Sequence, residues 1–216
     1  MGNWFRVWVQ PRQVMKQELA RTENETGKFI LIAIVGSFLS IFVQYQHPWE
    51  SMPTFWFVFL LAFFGSPIVG LLSLYLAPWL NKWVGSWIGG KGTTLGLRKA
   101  QVHASLKPGI ILSVIALPFV FMIGEAHFIS STNEDFRFIG ETFTPLQMWA
   151  TMAWGLLQFT GGVWVFVLSL HAIGEAHQFS AWKSLLMGVI IVALLVVLAL
   201  LLVIPVMLLM AFFGSF

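Results

Sequence analysis

Three residues near one predicted helix end, His171, Glu175 and His177, have side chains that bind metal ions or transfer protons. On a continuous helix, His171 and Glu175 are four residues apart and share one face, which is a usable spacing for a pair of metal ligands. Gly174 weakens such a helix, and His177 would point elsewhere. The pattern therefore leaves two interpretations, a weak metal site at His171 and Glu175 or ordinary polar residues where a helix meets water.

A glycine-rich segment, Gly85-Ser-Trp-Ile-Gly89-Gly90-Lys91-Gly92, nearly matches the loop that binds nucleotide phosphates. That loop requires Ser or Thr directly after the lysine to hold magnesium, and this chain has Gly92 there. The loop also follows a buried strand, whereas an apolar membrane segment precedes Gly85. We therefore expect a helix C-terminus at Gly89 and Gly90, followed by a flexible basic turn, and no nucleotide or other cofactor.

The pentapeptide Ile-Gly-Glu-Ala-His occurs twice, at 123–127 and 173–177, each time with a serine three residues after the histidine. Two copies on opposite sides of a membrane could be a trace of inverted duplication, which in transporters places a site between the two halves. The residues around the copies do not match. A coincidence at two helices that end in glycine is the simpler interpretation.

Five apolar stretches must position these residues, and their lengths predict membrane helices. They cover residues 29–45, 55–80, 108–124, 148–171 and about 185–213. Only 10% of the chain is charged, whereas a soluble domain carries about a quarter. No stretch alternates polar and apolar residues, as a barrel strand would. The predicted fold is all-α, a polytopic membrane protein with a bundle of five transmembrane helices.

The polar side chains within these stretches are few and uncharged. They are Ser37, Ser40, Ser66, Ser73, Ser113, Thr151, Gln158, Thr160 and Ser169. Ion-coupled transporters generally depend on acidic or basic groups inside the membrane, so an ion pump is disfavoured. Small residues four apart, such as Gly36 and Ser40 or Ser66 and Gly70, predict close helix packing. No catalytic pairing is recognisable, so we expect no enzyme.

Eleven of the twelve lysines and arginines fall on one side of the five stretches, and the exception is Arg137. The loops on the other side hold the acidic residues Glu50, Glu125, Glu134, Asp135 and Glu141. By the positive-inside rule, the N-terminus is cytoplasmic and the C-terminus lies outside. The natural partner of the net charge of +3 is the lipid of the anionic inner leaflet, and no nucleic acid is expected.

The N-terminal segment is predicted to be separate from the spans, which divides the chain into residues 1–27 and 28–216. Apolar residues recur at helical spacing from Val14 to Leu19, opposite basic residues. Pro11 suits the first turn of such a helix. We therefore expect an N-terminal interfacial amphipathic helix that lies on the cytoplasmic surface of the membrane.

Four blocks of sequence together resemble the Yip domain family, named for Ypt/Rab-interacting proteins, in its bacterial branch. The blocks are Trp8-Val-Gln-Pro11-Arg12, Gly65-Ser66-Pro67-Ile-Val-Gly70, Trp87-Ile-Gly89-Gly90-Lys91-Gly92 and Gly174-Glu175-Ala-His-Gln-Phe179-Ser180-Ala181-Trp182-Lys183. The resemblance covers nearly the whole chain and rests on the order and spacing of the blocks. The chain departs from the family at His103-Ala104 and in lacking an external domain.

The resemblance implies five membrane helices with a cytoplasmic N-terminus. Eukaryotic relatives are trafficking proteins of the Golgi and endoplasmic reticulum that bind small GTPases and each other. Bacteria lack that traffic, so GTPase binding is not carried over to this chain. The family supplies no catalytic residue, and the location it implies is the bacterial cytoplasmic (inner) membrane.

Two functions remain as hypotheses. The first is a non-enzymatic scaffold or binding protein that acts at the cytoplasmic face, as a homo-oligomer or with another membrane protein. The residues expected to contact a partner or a lipid headgroup are Arg12, Pro67, Gly89, Gly90, Lys91, Arg98, Lys99, Glu175, Trp182 and Lys183. The second is a transporter or lipid-handling protein for an anionic lipid or a polyprenyl phosphate, whose headgroup suits Lys91, Arg98 and Lys99.

Overall fold

A computed structural model of the chain describes residues 3–21, 23, 25–46, 54–128 and 143–213. Its α-helices are α1 Asn3–Arg6, α2 Pro11–Ala20, α3 Thr26–Gln44, α4 Thr54–Trp87, α5 Thr94–Gln101, α6 Lys107–Ile123, α7 Pro145–His177 and α8 Ala181–Phe213. A π-helical turn, Val102–Leu106, joins α5 to α6, and a 3₁₀ turn, Gly124–Phe128, follows α6. No strand occurs within these ranges, and the all-α prediction is confirmed.

Among the described residues, five helical runs are long and apolar enough to cross a membrane, in agreement with the predicted number. They are α3, α4, the run from α5 to the 3₁₀ turn, α7 and α8. At 1.5 Å per residue, α4 and α7 are about 50 Å long and exceed the hydrocarbon core of about 30 Å. The chain is an integral membrane protein. Its division into residues 1–27 and 28–216 stays a prediction.

Part of the charge asymmetry concerns residues that lie outside the described ranges, namely Glu50, Glu134, Asp135, Arg137 and Glu141. Most basic residues on the other side lie within the described ranges. The structure brings α2, the turn of residues 88–93 after α4 and the turn of residues 178–180 after α7 to the same end of the bundle. We call this end, which carries the basic segments, the basic end.

Between the predicted stretches 55–80 and 108–124, the chain is helical to Trp87 and again from Thr94, so the helices extend well beyond the predicted spans. The hydroxyl of Thr93 accepts a hydrogen bond from the Gly96 amide at 3.0 Å and so caps the first turn of α5. The helix then continues through the π-turn into α6. One face of α5 consists of small and apolar residues, including Leu97 and Ala100, and is buried in the bundle. The lysines and arginines nearby in the sequence made this face difficult to recognise.

The N-terminal helix α2 is amphipathic, as predicted, but its apolar face packs on protein instead of facing the membrane. Val14 and Met15 are completely buried, together with Val7 from the preceding segment. They contact Leu97 of α5 and Ala172 of α7 within one apolar core. The interfacial placement stays a prediction, and the protein contact was not predicted because an apolar helix face does not reveal whether lipid or protein covers it.

Glycines bring the spanning helices into close contact at two places. A Cβ atom at Gly70 of α4 would lie 2.8 Å from the carbonyl oxygen of Ala33 in α3. A Cβ atom at Gly161 of α7 would lie 2.6 Å from the Leu112 side chain of α6. A side chain at Gly70 would meet the backbone of α3, and one at Gly161 would have to displace the Leu112 side chain, so both glycines permit the close contact between the helices. The predicted packing role of Gly70 is thereby explained.

Pro67 lies inside α4 without ending it. Proline has no N–H group, so the carbonyl of Phe63, four residues earlier, lacks its usual helical donor. The hydroxyl of Ser66 lies 3.4 Å from that carbonyl oxygen and donates to it. The Ser-Pro pair therefore maintains α4 as a single spanning helix.

The last helix, α8, is peripheral to the bundle. Ser184 and Met187, near its beginning, are buried, whereas every residue from 192 to 207 is exposed. Pro205 lies inside the helix and does not end it. Lipid is the expected neighbour of a helix with so many exposed leucine, valine and isoleucine side chains.

Candidate functional site

The glycine-rich turn after α4 folds around the imidazole of His177, the last residue of α7. Cβ atoms at Gly85, Gly90 and Gly92 would all lie within 3 Å of the ring, so only glycine fits at these three positions. On another side, the ring of Phe179 stacks on the imidazole with a centroid distance of 4.9 Å. The resulting niche encloses His177, whose side chain is almost completely buried.

Three hydrogen bonds hold His177 in this niche. The Gly92 amide donates to Nδ1 at 3.1 Å, and Nε2 donates to the Asn81 carbonyl at 3.1 Å. The Lys91 amide donates to the His177 carbonyl at 3.1 Å. Because Nδ1 accepts, these bonds require a neutral imidazole that carries its proton on Nε2. His177 therefore joins α4, α5 and α7 as a structural clamp.

The clamp corrects two expectations about this region. The turn at Lys91 was predicted to be flexible, but it is tied to α7 through both its backbone and the imidazole. The helix was predicted to end at a glycine, but α7 continues past Gly174 to His177, and Gln178 ends it with a left-handed φ of 61°. In the other copy of the repeat, Gly124 does end its helix, with a φ of 73°.

A second buried polar centre holds α2 on the bundle. The ammonium group of Lys99, which is 3% exposed, donates to the backbone carbonyls of Glu18 at 2.7 Å and Arg21 at 2.6 Å. These carbonyls belong to the last turn of α2 and its C-cap, and the Glu18 carbonyl also accepts a hydrogen bond from the Arg21 amide at 3.3 Å. A cation at this position also complements the negative end of the helix dipole. Lys99 therefore acts as a buried cap of α2.

The same centre contains further ionisable groups. The carboxylate of Glu18 is buried, lies 3.6 Å from Nε2 of His103 and pairs with Arg21 at 3.4 Å. The Lys107 ammonium lies 3.3 Å from Nδ1 of His103 and 5.3 Å from the centre of the Trp4 ring. These groups lie outside the predicted stretch 108–124, but the third helical run begins at Thr94 and carries Lys99, His103 and Lys107 into the protein.

The predicted metal ligands do not come together with a third ligand. The Arg12 side chain donates from Nε to Nδ1 of His171 at 3.3 Å. A guanidinium group beside the imidazole repels a divalent cation. Across the described ranges, no group of three His, Cys, Asp or Glu side chains could hold a metal ion. Glu175 lies half-buried in the next turn of α7.

The remaining residues predicted to contact a partner differ in their placement. Those that are exposed at the basic end are Arg12, Gly89, Lys91, Trp182 and Lys183, whereas Gly90 and Glu175 are half-buried. Arg98 is half-buried with its guanidinium 4.1 Å above the Tyr75 ring, and the ammonium of Lys99 is bonded to the backbone. Pro67 lies about 33 Å from Gly89 along α4, at 1.5 Å per residue. The structure therefore assembles most of the set, but not Pro67, at one end.

A cavity of about 480 Å³ lies between α3, α6 and α7. Its lining residues are Gly36, Ser40, Gln44, Ser105, Leu106, Gly109, Leu112, Ser113, Trp154, Gln158, Gly162 and Val165. No formally charged residue lines it, and many of these side chains are small or carry a hydroxyl or amide group. Of these residues, the sequence identified Gly36 and Ser40 as a packing pair and Ser113 and Gln158 as polar residues of the spans, but it did not connect them. Their common cavity depends on how the three helices pack.

Comparison with known proteins agrees with this architecture. The model of the Yip1 domain family matches residues 5–214, which covers nearly the whole chain from the start of the N-terminal segment to the end of α8. No curated protein and no solved structure matches the chain. Two blocks that suggested the resemblance, around Gly90 and around Gly174, meet in the niche of His177. The chain belongs to the Yip1 domain family.

Proposed function

We propose that the chain is a non-enzymatic scaffold or binding protein that acts through the basic end of its bundle. The observation that supports this proposal is the rigid attachment of the helix ends there. Lys99 holds α2 against α5, and His177 holds the turn after α4 against α7. Neither centre offers an exposed catalytic group. Both fix a surface in place, as a binding protein requires.

The exposed side chains of this surface are suited to a protein partner at the membrane. Trp182 is 79% exposed and is followed by the exposed Lys183. Trp79, Trp83 and Trp87 form an exposed stripe along the end of α4, with neighbouring ring centres 5.9 and 4.7 Å apart. Tryptophan is enriched both in protein interfaces and at headgroup depth. We propose a second copy of the chain or another membrane protein as the partner.

The proposal includes an orientation and a location. The basic end would lie in the cytoplasm, the C-terminus outside, and the protein would belong to the bacterial branch of its family, in the inner membrane. The chain contains no cysteine, so single cysteines at Lys91 and Leu146 can be introduced at opposite ends without background. In intact cells, a membrane-impermeant maleimide should label the cysteine at Leu146 only. Labelling at Lys91 alone would contradict the orientation.

Site-specific photocrosslinking tests the scaffold function itself. A photoreactive amino acid at Trp182 or Lys91 should give discrete protein adducts in the native membrane, whereas the same group at Leu198 of α8 should react with lipid. Leu198 is a matched control because it is 53% exposed but lies on the peripheral helix. If neither basic-end position yields a protein adduct, including one to a second copy of the chain, the scaffold proposal fails.

The alternative, a transporter or lipid-handling protein for an anionic lipid or a polyprenyl phosphate, has one supporting observation. The bundle contains the polar-lined cavity between α3, α6 and α7, whereas a fully packed bundle would have no place for a lipid. Of Lys91, Arg98 and Lys99, the three residues predicted to bind its headgroup in this alternative, only Lys91 is exposed. Mass spectrometry of lipids that remain with the purified protein tests this proposal, which fails if none is retained above the level of an unrelated five-span protein.

A further inference from the structure

The cavity between α3, α6 and α7 is lined by three stripes of residues at four-residue intervals. The stripes are Gly36, Ser40 and Gln44 on α3, then Ser105, Gly109 and Ser113 on the π-turn and α6, then Trp154, Gln158 and Gly162 on α7. Each stripe extends about 12 Å along its helix at 1.5 Å per residue. The three helices therefore present their small or polar faces to a common elongated groove, which we call the polar groove.

Two glycines of the polar groove, Gly109 and Gly162, are not explained by helix packing. A Cβ atom at Gly109 or Gly162 would meet nothing within 4 Å, in contrast to Gly161, where it would meet Leu112 at 2.6 Å. Glycine weakens a helix, so its presence here needs another reason. The absence of side chains at Gly109 and Gly162 leaves room for the groove. α3 and α7 each pack on α6 but scarcely on each other, which leaves the space between them.

Two hydrogen-bond donors of the polar groove lack a partner among the described residues. They are Nε1 of Trp154 and Nε2 of Gln158, and both atoms are buried. Both residues line the groove, one helical turn apart on α7, and neighbouring protein atoms shield the two donors from solvent. Buried donors without acceptors are rare in proteins and are most costly inside a membrane. The groove is therefore suited to a ligand that accepts hydrogen bonds.

The lack of charged residues in the lining favours an uncharged hydrogen-bond acceptor as the ligand group. None of the residues that line the polar groove is acidic or basic, and an anionic group placed there would lack a countercharge in a medium of low dielectric constant. Esters and hydroxyls accept hydrogen bonds without that penalty. The volume of about 480 Å³ lies within the range of about 300–1,000 Å³ that is usual for small-ligand sites.

We propose that the polar groove binds the uncharged, ester-bearing part of a membrane lipid, with Trp154 and Gln158 donating to its carbonyl oxygens. The groove lies in helices that span the membrane, where lipid is the abundant ligand with this chemistry. The proposal goes beyond the scaffold function. It rests on the lipid-handling alternative only in taking a lipid as the ligand, and it differs in assigning the site to the neutral glycerol-ester region and not to an anionic headgroup.

The test uses the full-length protein in nanodiscs with a photoactivatable diacylglycerol, which carries two ester carbonyls and no charge. The wild-type protein should be labelled, and peptide mapping should place the adduct on α3, α6 or α7. Gly162→Leu, which fills the groove, and Gln158→Leu, which removes a donor, should each reduce labelling at least fivefold. Gly155→Leu is the matched control, since Gly155 is on the same helix, also has open space at its Cβ and does not line the groove.

Trp154→Phe provides a second donor variant that preserves an aromatic ring against His127, whose ring centre is 4.9 Å away. It keeps the test valid if Gly162→Leu fails to fold, as judged by gel filtration. A parallel reaction uses photoactivatable phosphatidic acid, which has the same esters and an added phosphate. It distinguishes recognition of the neutral esters from recognition of an anionic headgroup. Groove-dependent labelling by either lipid supports the site, and preference for diacylglycerol supports the neutral assignment.

The unfavourable results separate this proposal from the alternative on which it partly rests. If the wild-type protein is labelled but the groove variants are labelled equally, lipid handling stands and the groove is overturned as its site. If only phosphatidic acid labels the groove, the neutral assignment is overturned. If neither probe labels the wild-type protein and no lipid is retained on purification, both proposals are overturned.

Discussion

Replacement of Lys99 by methionine should release α2 from the bundle. Methionine preserves most of the length and apolar volume of the side chain but removes the ammonium group. The carbonyls of Glu18 and Arg21 then lose donors at 2.7 and 2.6 Å. The substitution leaves the other contacting groups of α2 unchanged, namely the apolar Val14 and Met15, Arg12 beside His171 and Glu18 beside His103. The change therefore isolates the contribution of the buried cap to the docking of this helix.

The expected loss of docking free energy is about 3 kcal/mol. Each hydrogen bond to a charged group contributes about 1.5–3 kcal/mol, so the two bonds together suggest about 3–6 kcal/mol. Removing a buried ammonium also removes its desolvation penalty, and water can reach carbonyls at a helix end, which favours the lower value. A change of about 3 kcal/mol corresponds to an increase of about 100-fold in the population of undocked α2.

A single cysteine at Met15 measures this population, because the Met15 side chain is completely buried and the chain has no other cysteine. A water-soluble maleimide should react with this cysteine about 100-fold faster in the Lys99→Met background, by the magnitude worked out above. Lys16→Met is the matched control, since Lys16 is exposed on the same helix and its replacement removes the same charge. A rate in Lys99→Met within about threefold of that control would refute the capping role of Lys99.

Further predictions concern stability in detergent, measured as the free energy of unfolding by titration with a denaturing detergent. His177→Ala should lower it by about 2–4 kcal/mol, because two hydrogen bonds and a stacked ring are lost. Gly90→Ala should lower it by about 1–3 kcal/mol through the clash with His177, whereas Gly188→Ala, with open space around its Cβ, should raise it by about 0.4–1 kcal/mol. Leu168→Ala, in the core, should cost about 2–5 kcal/mol, but Leu198→Ala on α8 less than about 0.5 kcal/mol. Equal losses for either pair would contradict the packing described.

The spans and their number could be predicted because membrane insertion depends on local apolar length. Each of the five stretches is by itself long enough, within the range of about 17–25 residues or above it, to be recognised as a span independently of the others. The ends of the helices were less predictable. The start of α5 depends on the cap at Thr93 and on a buried face that contains Leu97, and both were obscured by neighbouring lysines and arginines. A search for helical periodicity of small residues in that stretch would have found the face.

The buried polar centres could not be predicted because they depend on contacts between distant segments. Glu18 and Lys99 are 81 residues apart, and Asn81 and His177 are 96 residues apart. Each residue alone resembles an ordinary charged or polar residue near a helix end. The glycines did carry a signal, since Gly85, Gly90 and Gly92 are more than a turn requires. The sequence did not reveal that the imidazole of His177 occupies the space beside these three glycines.

The π-turn of residues 102–106 connects the two proposed functional regions of the protein. In this turn the amide of Lys107 donates to the carbonyl of Val102, five residues earlier. The segment closed by this hydrogen bond therefore contains one residue more than in an α-helix. The insertion shifts the helix face, with His103 facing Glu18 in the buried centre and Ser105 lining the polar groove. Because this turn contributes residues to both regions, we expect substitutions in it to disturb both the attachment of α2 and the polar groove. Changes at groove residues outside this turn, such as Gln158 or Gly162 on α7, separate the proposed lipid binding from the attachment of α2.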